Sequence, residues 1–250
     1  MTALLIHPIP AACTLAACRG PAADPKSAGA TTARTMTARA IATCASAIAA
    51  VVLACVQPAQ AEGKLPAADP AKGQQIVGGV CSACHGPDGN STVNQYPKIA
   101  GQPAEYIVKQ LTDLAKPATD KSARVNAVMS AMAAPLSADD RRNVAAFLSA
   151  QKPKAGVARV KETLDLGQRI FRAGIAERGV PACAGCHGPT GSGIPIQYPH
   201  LSGQWAEYTA SQLVAFRDGT RRNQLAMTQI AARLSDPEMK AVADYIAGLH

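Results

Sequence analysis

Apolar positions recur at helical spacing along most of this chain, and two of the clearest stretches mirror each other. Val144, Phe147 and Leu148 fall on one helical face, as do Val242, Tyr245, Ile246 and Leu249. Leu136-Ser137-Ala138-Asp139-Asp140 and Leu234-Ser235-Asp236-Pro237-Glu238 stand before them. In each, the serine can cap a first turn, and the acid three residues later closes a capping box. The pattern predicts an amphipathic helix at the end of each half. Strand signals are scarce, because no segment sustains the alternation of β-branched and polar residues that a half-buried strand needs.

Two further helices are expected in each half. Lys72-Gly73-Gln74-Gln75-Ile76-Val77 and Leu166-Gly167-Gln168-Arg169-Ile170-Phe171 read as a matched pair. A glycine inside a helix costs about 1 kcal/mol relative to alanine, so it calls for a packing reason, and close crossing with the terminal helix supplies one. Another pair follows the Gly-Gln dipeptides, over 104–114 and 206–216.

The mirroring is an internal repeat. At an offset of 102 residues, the window 81–111 matches 183–213 at 16 of 31 positions, including Tyr96/Tyr198, Pro97/Pro199, Gln102/Gln204, Tyr106/Tyr208 and Gln110/Gln212. Further on the offset falls to 98, pairing Met129 with Met227 and Phe147 with Tyr245, so the first copy carries four extra residues. They are expected in the loop around Lys116-Pro117-Ala118-Thr119, since loops absorb insertions. The boundary falls near 152–156, giving domains at 62–153 and 154–250.

Each copy opens its matched block with the same chemistry: Cys81-Ser82-Ala83-Cys84-His85 and Cys183-Ala184-Gly185-Cys186-His187. Cys-X-X-Cys-His is the attachment signature of c-type haem. Two thiols three positions apart can each add to a vinyl group of one porphyrin, placing the adjacent imidazole under the iron. A four-cysteine zinc site would space its pairs about 15 to 20 residues apart, and a redox dithiol would sit in a βαβ pattern. The expected cofactors are therefore two covalently bound haem c groups, tethered by Cys81, Cys84, Cys183 and Cys186, with His85 and His187 as axial ligands. A methionine thioether is the natural second ligand. Residues 62–250 offer Met129, Met132, Met227 and Met239. Met129 and Met227 each stand seven residues before the leucine of Leu-Ser, which selects them, with Met132 as the fallback in the first copy.

Residues 1–61 read as a leader. From Met36 a basic residue at Arg39, an apolar run of 16 residues over 41–56 and the small-residue site Ala59-Gln60-Ala61 give the layout of a secretory signal peptide cleaved after Ala61. A membrane span needs about 20 apolar residues. Leu15-Ala16-Ala17-Cys18 and Val52-Leu53-Ala54-Cys55 loosely fit lipoprotein processing, which leaves a lipid anchor as an alternative. The expected location is the periplasm, with peripheral membrane association left open.

The formal net charge of the whole chain is +8; the leader holds four of the 25 Lys and Arg and one of the 17 acids, leaving +5. Those positive residues are scattered and four haem propionates would offset most of them, so the charge does not point to nucleic acid. Aromatic residues make up only 4% of the chain, as expected if a porphyrin fills the volume that Phe and Trp usually occupy.

Taken together, the Cys-X-X-Cys-His-Gly motifs, the Tyr-Pro-X-X-X-Gly-Gln-X-X-Glu-Tyr blocks, the methionines before Leu-Ser and the closing Tyr245-Ile246-Ala247-Gly248-Leu249-His250 resemble the class I cytochromes c, and specifically the dihaem cytochrome c4 family. The resemblance covers essentially all of 62–250. It implies an all-α fold of two tandem cytochrome c-like domains, and a periplasmic carrier of single electrons with no catalytic residues. Its expected partners are a quinol-oxidising complex or dehydrogenase as donor and a terminal oxidase as acceptor. Alternatives are a cytochrome subunit of one dehydrogenase and a dihaem peroxidase. The resemblance also implies that the carbonyls of Pro97 and Pro199 accept the Nδ1–H of His85 and His187. Arg124 and Arg222 match across the repeat and are read as solvated charge or propionate partners, His200 and His250 as surface residues, and Trp205 as packing.

Overall fold

Asp69 starts the first helix by accepting the backbone N–H groups of Ala71 and Lys72, and Pro70 suits the first turn, where no intrahelical N–H bond is needed. The structure is a computed structural model that describes residues 67–195 and 198–250. The signal-peptide, cleavage and lipid-anchor readings of 1–61 lie outside the described residues. The described residues form one compact unit.

Helix α1 (Pro70–Ile76) runs through a π turn, Val77–Cys81, into α2 (Ser82–His85). Helices α3 (Ala104–Ala115), α4 (Ala127–Ala133) and α5 (Ala138–Ser149) complete the first repeat. The second repeats the order with α6 (Leu164–Ala173), α7 (Ala184–His187), α8 (Ala206–Arg217), α9 (Leu225–Ala231) and α10 (Asp236–Ala247). Among the described residues there are isolated β-bridges and no strands, so the fold is all-α as expected. Both capping boxes form: Ser137 N–H donates to Asp140 at 2.9 Å, and Ser235 N–H to Glu238 at 2.8 Å. The loop 116–126 is four residues longer than its counterpart 218–224, which is where the sequence offset shrinks.

The terminal helix of each repeat lies across the first, α5 on α1 and α10 on α6. The two glycines let the backbones touch. A Cβ on Gly73 would stand 2.0 Å from the carbonyl oxygen of Asn143, and one on Gly167 would stand 2.2 Å from that of Ala241. Around these crossings sit the two cores. Val77, Ile107, Val144 and Leu148 form the first; Ile170, Phe171, Leu213, Met239, Val242 and Ile246 belong to the larger second.

The repeats meet along a seam with approximate two-fold symmetry. Gln204 accepts the N–H of Lys98 at 2.9 Å and donates to its carbonyl at 2.8 Å, while Gln102 treats His200 the same way at 3.1 and 2.7 Å. Arg124 and Arg221 pair as an antiparallel bridge. Arg124 reaches the Tyr208 hydroxyl at 3.0 Å and Gln212 at 2.9 Å; Arg221 reaches the Tyr106 hydroxyl at 3.2 Å and Gln110 at 3.3 Å.

Two sequence readings are corrected here. The structural counterpart of Arg124 is Arg221 and not Arg222, whose guanidinium instead bonds the carbonyls of Ala118 and Asp120 in the first repeat. A one-residue slip between Arg221 and Met227 hides this in the sequence. His200 is half-buried in the seam rather than on the open surface. Its counterpart Lys98 is 8% exposed, its ammonium satisfied by the carbonyls of Gly203, Lys154 and Ala155 at 2.8, 3.2 and 3.3 Å.

Replacing Gly167 by Ala tests the crossing. An alanine in an open helix would stabilise by about 1 kcal/mol. At this contact, overpacking is expected to lower the free energy of unfolding by about 1–3 kcal/mol, read by denaturant titration of the holoprotein.

Candidate haem sites

Both Cys-X-X-Cys-His segments are short helical turns, and the chain reaches them by different routes. Gly73 precedes Cys81 by eight residues and Gly167 precedes Cys183 by sixteen. The first route is the continuous helix with its π turn, in which Ser82 N–H donates back to the Val77 carbonyl. Such turns widen a helix locally and recur at functional sites. The second leaves α6 at Gly174 (φ +74°) and returns through an Ile175–Val180 bridge. Each motif then ends on a glycine with positive φ, Gly86 at +79° and Gly188 at +81°. At Gly86 a side chain would also collide with the Asn90 carbonyl, 2.9 Å from the ideal Cβ.

This turn buries the histidines. His85 is 5% exposed and His187 7%. Their Nδ1 atoms lie 2.9 Å from the Pro97 carbonyl and 3.0 Å from the Pro199 carbonyl, the contacts expected from the resemblance. A carbonyl only accepts, so Nδ1 carries the proton. Burial lowers both pKa values, which favours the neutral ring. A neutral imidazole protonated at Nδ1 has its lone pair at Nε2, the donor state that iron requires. Tyr96 and Tyr198 stand edge-on to the two imidazoles at 6.5 and 5.9 Å between ring centroids.

The four cysteines of the two motifs are half-buried free thiols. Burial raises the pKa of Cys81 and pushes Cys183 up to about 11. Among the described residues no three His, Cys, Asp or Glu side chains converge as a metal site. The free thiols, with an imidazole beside each pair whose Nε2 is a free donor, fit a thioether-linked porphyrin in both repeats.

Of the candidate methionines, Met129 lies on α4, its N–H held by the Asn126 side chain at 2.8 Å, and Met227 lies on α9. Both are half-buried. Met132 is 41% exposed, and Met239 is fully buried within the second core. Helix α4 packs on α3 and α9 packs on α8, so each methionine is carried by a different part of its repeat from the histidine. Trp205, read from the sequence as packing, meets across the seam a residue that the sequence reading did not single out, its Nε1–H donating to Ser91 Oγ at 2.8 Å.

The cytochrome c family profile matches residues 70–152 and again 164–250. Cytochrome c4 of Azotobacter vinelandii is 43% identical over 192 residues, covering 74% of this chain and 90% of that protein. A thiosulfate dehydrogenase electron acceptor of Stutzerimonas stutzeri is 38% identical over 174 residues, covering 68% of this chain and 78% of that protein. The crystal structure of reduced recombinant cytochrome c4 from Pseudomonas stutzeri superposes with a TM-score of 0.70 at 42% identity, covering 74% of this chain and all of that one. The doubled profile match and the paired cysteines mean two covalently bound haem c groups, and with these relatives they make the chain a member of the cytochrome c family, in its dihaem cytochrome c4 branch of electron carriers.

Proposed function

We propose that the chain relays single electrons in the periplasm from a quinol-oxidising complex or dehydrogenase to a terminal oxidase, with His85 and Met129 ligating one iron and His187 and Met227 the other. When bound, haem supplies a one-electron ferric/ferrous couple. The chain's residues do the rest. Cys81, Cys84, Cys183 and Cys186 fix position, while the Pro97 and Pro199 carbonyls fix the direction and basicity of the two imidazoles. Met129 and Met227 would hold the iron through their thioethers, which would leave no position for a substrate and give a higher potential than a second imidazole would. Outer-sphere transfer then needs no catalytic residue. The observation carrying this reading is the paired Nδ1–carbonyl geometry, repeated at 2.9 and 3.0 Å in two independently built loops.

The proposed domain limits are 62–153 and 154–250, after a leader ending at Ala61. Among the described residues no helix is long and apolar enough to cross a membrane. A second reading, service to one dedicated dehydrogenase, is favoured by the 38% identity to the thiosulfate dehydrogenase electron acceptor.

Met129→Ala and Met227→Ala are each expected to abolish the thioether-to-iron absorption of one haem, to let its ferrous form bind carbon monoxide and to lower its potential by on the order of 0.1 V, well within the ~0.8 V range set by axial ligation. Optical redox titration checks this. A first haem indifferent to Met129→Ala and sensitive to Met132→Ala would overturn the assignment. In stopped-flow mixing, the reduced protein is expected to be oxidised rapidly by a membrane-bound terminal oxidase. Reduction by a single dehydrogenase with no turnover by any oxidase would favour the dedicated role.

A further inference from the structure

The two histidine loops are closed differently. In the second repeat Tyr198 is held by its own loop: Ile194 N–H donates to the Tyr198 carbonyl at 3.2 Å and Tyr198 N–H to the Ile194 carbonyl at 3.0 Å. In the first repeat the Tyr96 carbonyl accepts from the Ser91 hydroxyl at 2.6 Å. Gly193 stands at the position matching Ser91, so the second repeat has no such hydroxyl. Ser91 in turn accepts the indole N–H of Trp205 at 2.8 Å, a residue of the other repeat whose own counterpart is Pro103. The reciprocal bond therefore has neither donor nor acceptor.

The indole is well held. The Lys98 ammonium lies 4.6 Å from its centroid and the Arg159 guanidinium 5.9 Å, a stacking of cations that fixes the ring plane. Its backbone N–H is taken by Gln204 at 3.0 Å. Ser91 is 3% exposed, which leaves water little access to compete for its hydroxyl.

The chain of bonds ends on the histidine. Tyr96 and Pro97 share one planar peptide group, so a donor on the Tyr96 oxygen orients the residue whose carbonyl accepts His85 Nδ1–H. A hydrogen bond into Ser91 Oγ also polarises its O–H and strengthens the onward donation. Gln204 on the Lys98 N–H and Gln102 on the His200 N–H hold the Pro97 and Pro199 peptide groups alike in both repeats. We propose that Trp205 is a further, one-sided positioning residue that reaches across the seam to hold the carbonyl orienting His85, so that the second repeat adjusts the electron affinity of the first haem through a contact that the first repeat does not return. This rests on the assignment of His85 as a ligand. Loss of the indole donor loosens the Pro97–His85 bond and makes the imidazole a weaker donor. The ferric state is then less stabilised and the potential of the first haem rises.

Holoprotein variants Trp205→Phe, Ser91→Ala and the double variant test this by redox titration followed by NMR, which resolves the two haems. Each single variant is expected to shift the electron-exchange equilibrium between the haems about threefold toward a reduced first haem, with the second potential unmoved. The double variant is expected to go no further than either single one. Equal shifts at both haems, additive shifts in the double variant, or an effect of Ser91→Ala without one of Trp205→Phe would each overturn the proposal. The hyperfine-shifted His85 ring resonances of the unaltered protein test ligation separately. Their absence refutes the ligand assignment; their presence with potentials unmoved by the variants refutes only the role of Trp205.

Discussion

The bond from histidine Nδ1 to a proline carbonyl is the constraint around which each repeat is arranged. An imidazole can serve iron only if one nitrogen is bare and aimed, and a carbonyl twelve residues downstream secures both at once. The chain must then turn back sharply after the histidine. Gly86 and Gly188 supply a backbone conformation closed to other residues at little cost, and the loop that follows can lie under the ring. The helices act as supports for that loop: α5 and α10 cross the entering helices at Gly73 and Gly167, and their far ends meet the loops where Gly101 N–H donates to Leu148 and Gly203 N–H to Ile246.

Duplication gives the molecule a second such site, and the seam shows what duplication leaves symmetric. Gln102, Tyr106 and Gln110 stand four residues apart, as do Gln204, Tyr208 and Gln212, so each repeat offers one polar helical face, and the two faces bond to equivalent groups on each other. Symmetry fails where the two loops carry different residues. Lys98 against His200, Ser91 against Gly193 and Pro103 against Trp205 all lie within a few residues of the contact. Two haems held by the same local rules thus have unlike surroundings.

Much of this was legible in the sequence because it is local. The capping boxes, the helix-crossing glycines and the haem motifs depend on neighbours within one helix or on a motif repeated after a fixed interval, and the four-residue insertion fell in the expected loop. The seam was not legible. Its partners are separated by roughly one repeat length, and the cue that existed, a matched polar set at four-residue spacing, has no periodic apolar signal to mark it as buried. Arg221 was missed for Arg222 because alignment by motif carries a uniform offset across a loop whose length had shifted by one. Trp205 stands against Pro103 in the first repeat, so comparison of the copies showed no shared role for it, and only the fold brings it to Ser91.

The seam is also notable for what holds it. Its charged groups, the Arg124 and Arg221 guanidiniums, the Lys98 and Lys109 ammoniums and the Asp113 carboxylate, bond across it to neutral partners, namely amides, backbone carbonyls and phenols. Among the described residues the ion pairs that form lie within a repeat or, as with the exposed Lys154 and Asp88, beside the linker. Mobile ions screen attraction between exposed opposite charges over about 10 Å at 0.1 M but have little hold on buried dipolar contacts. The spacing between the two redox centres is therefore insulated from changes in ionic strength, while encounters between the charged outer surface and other proteins remain free to respond to them.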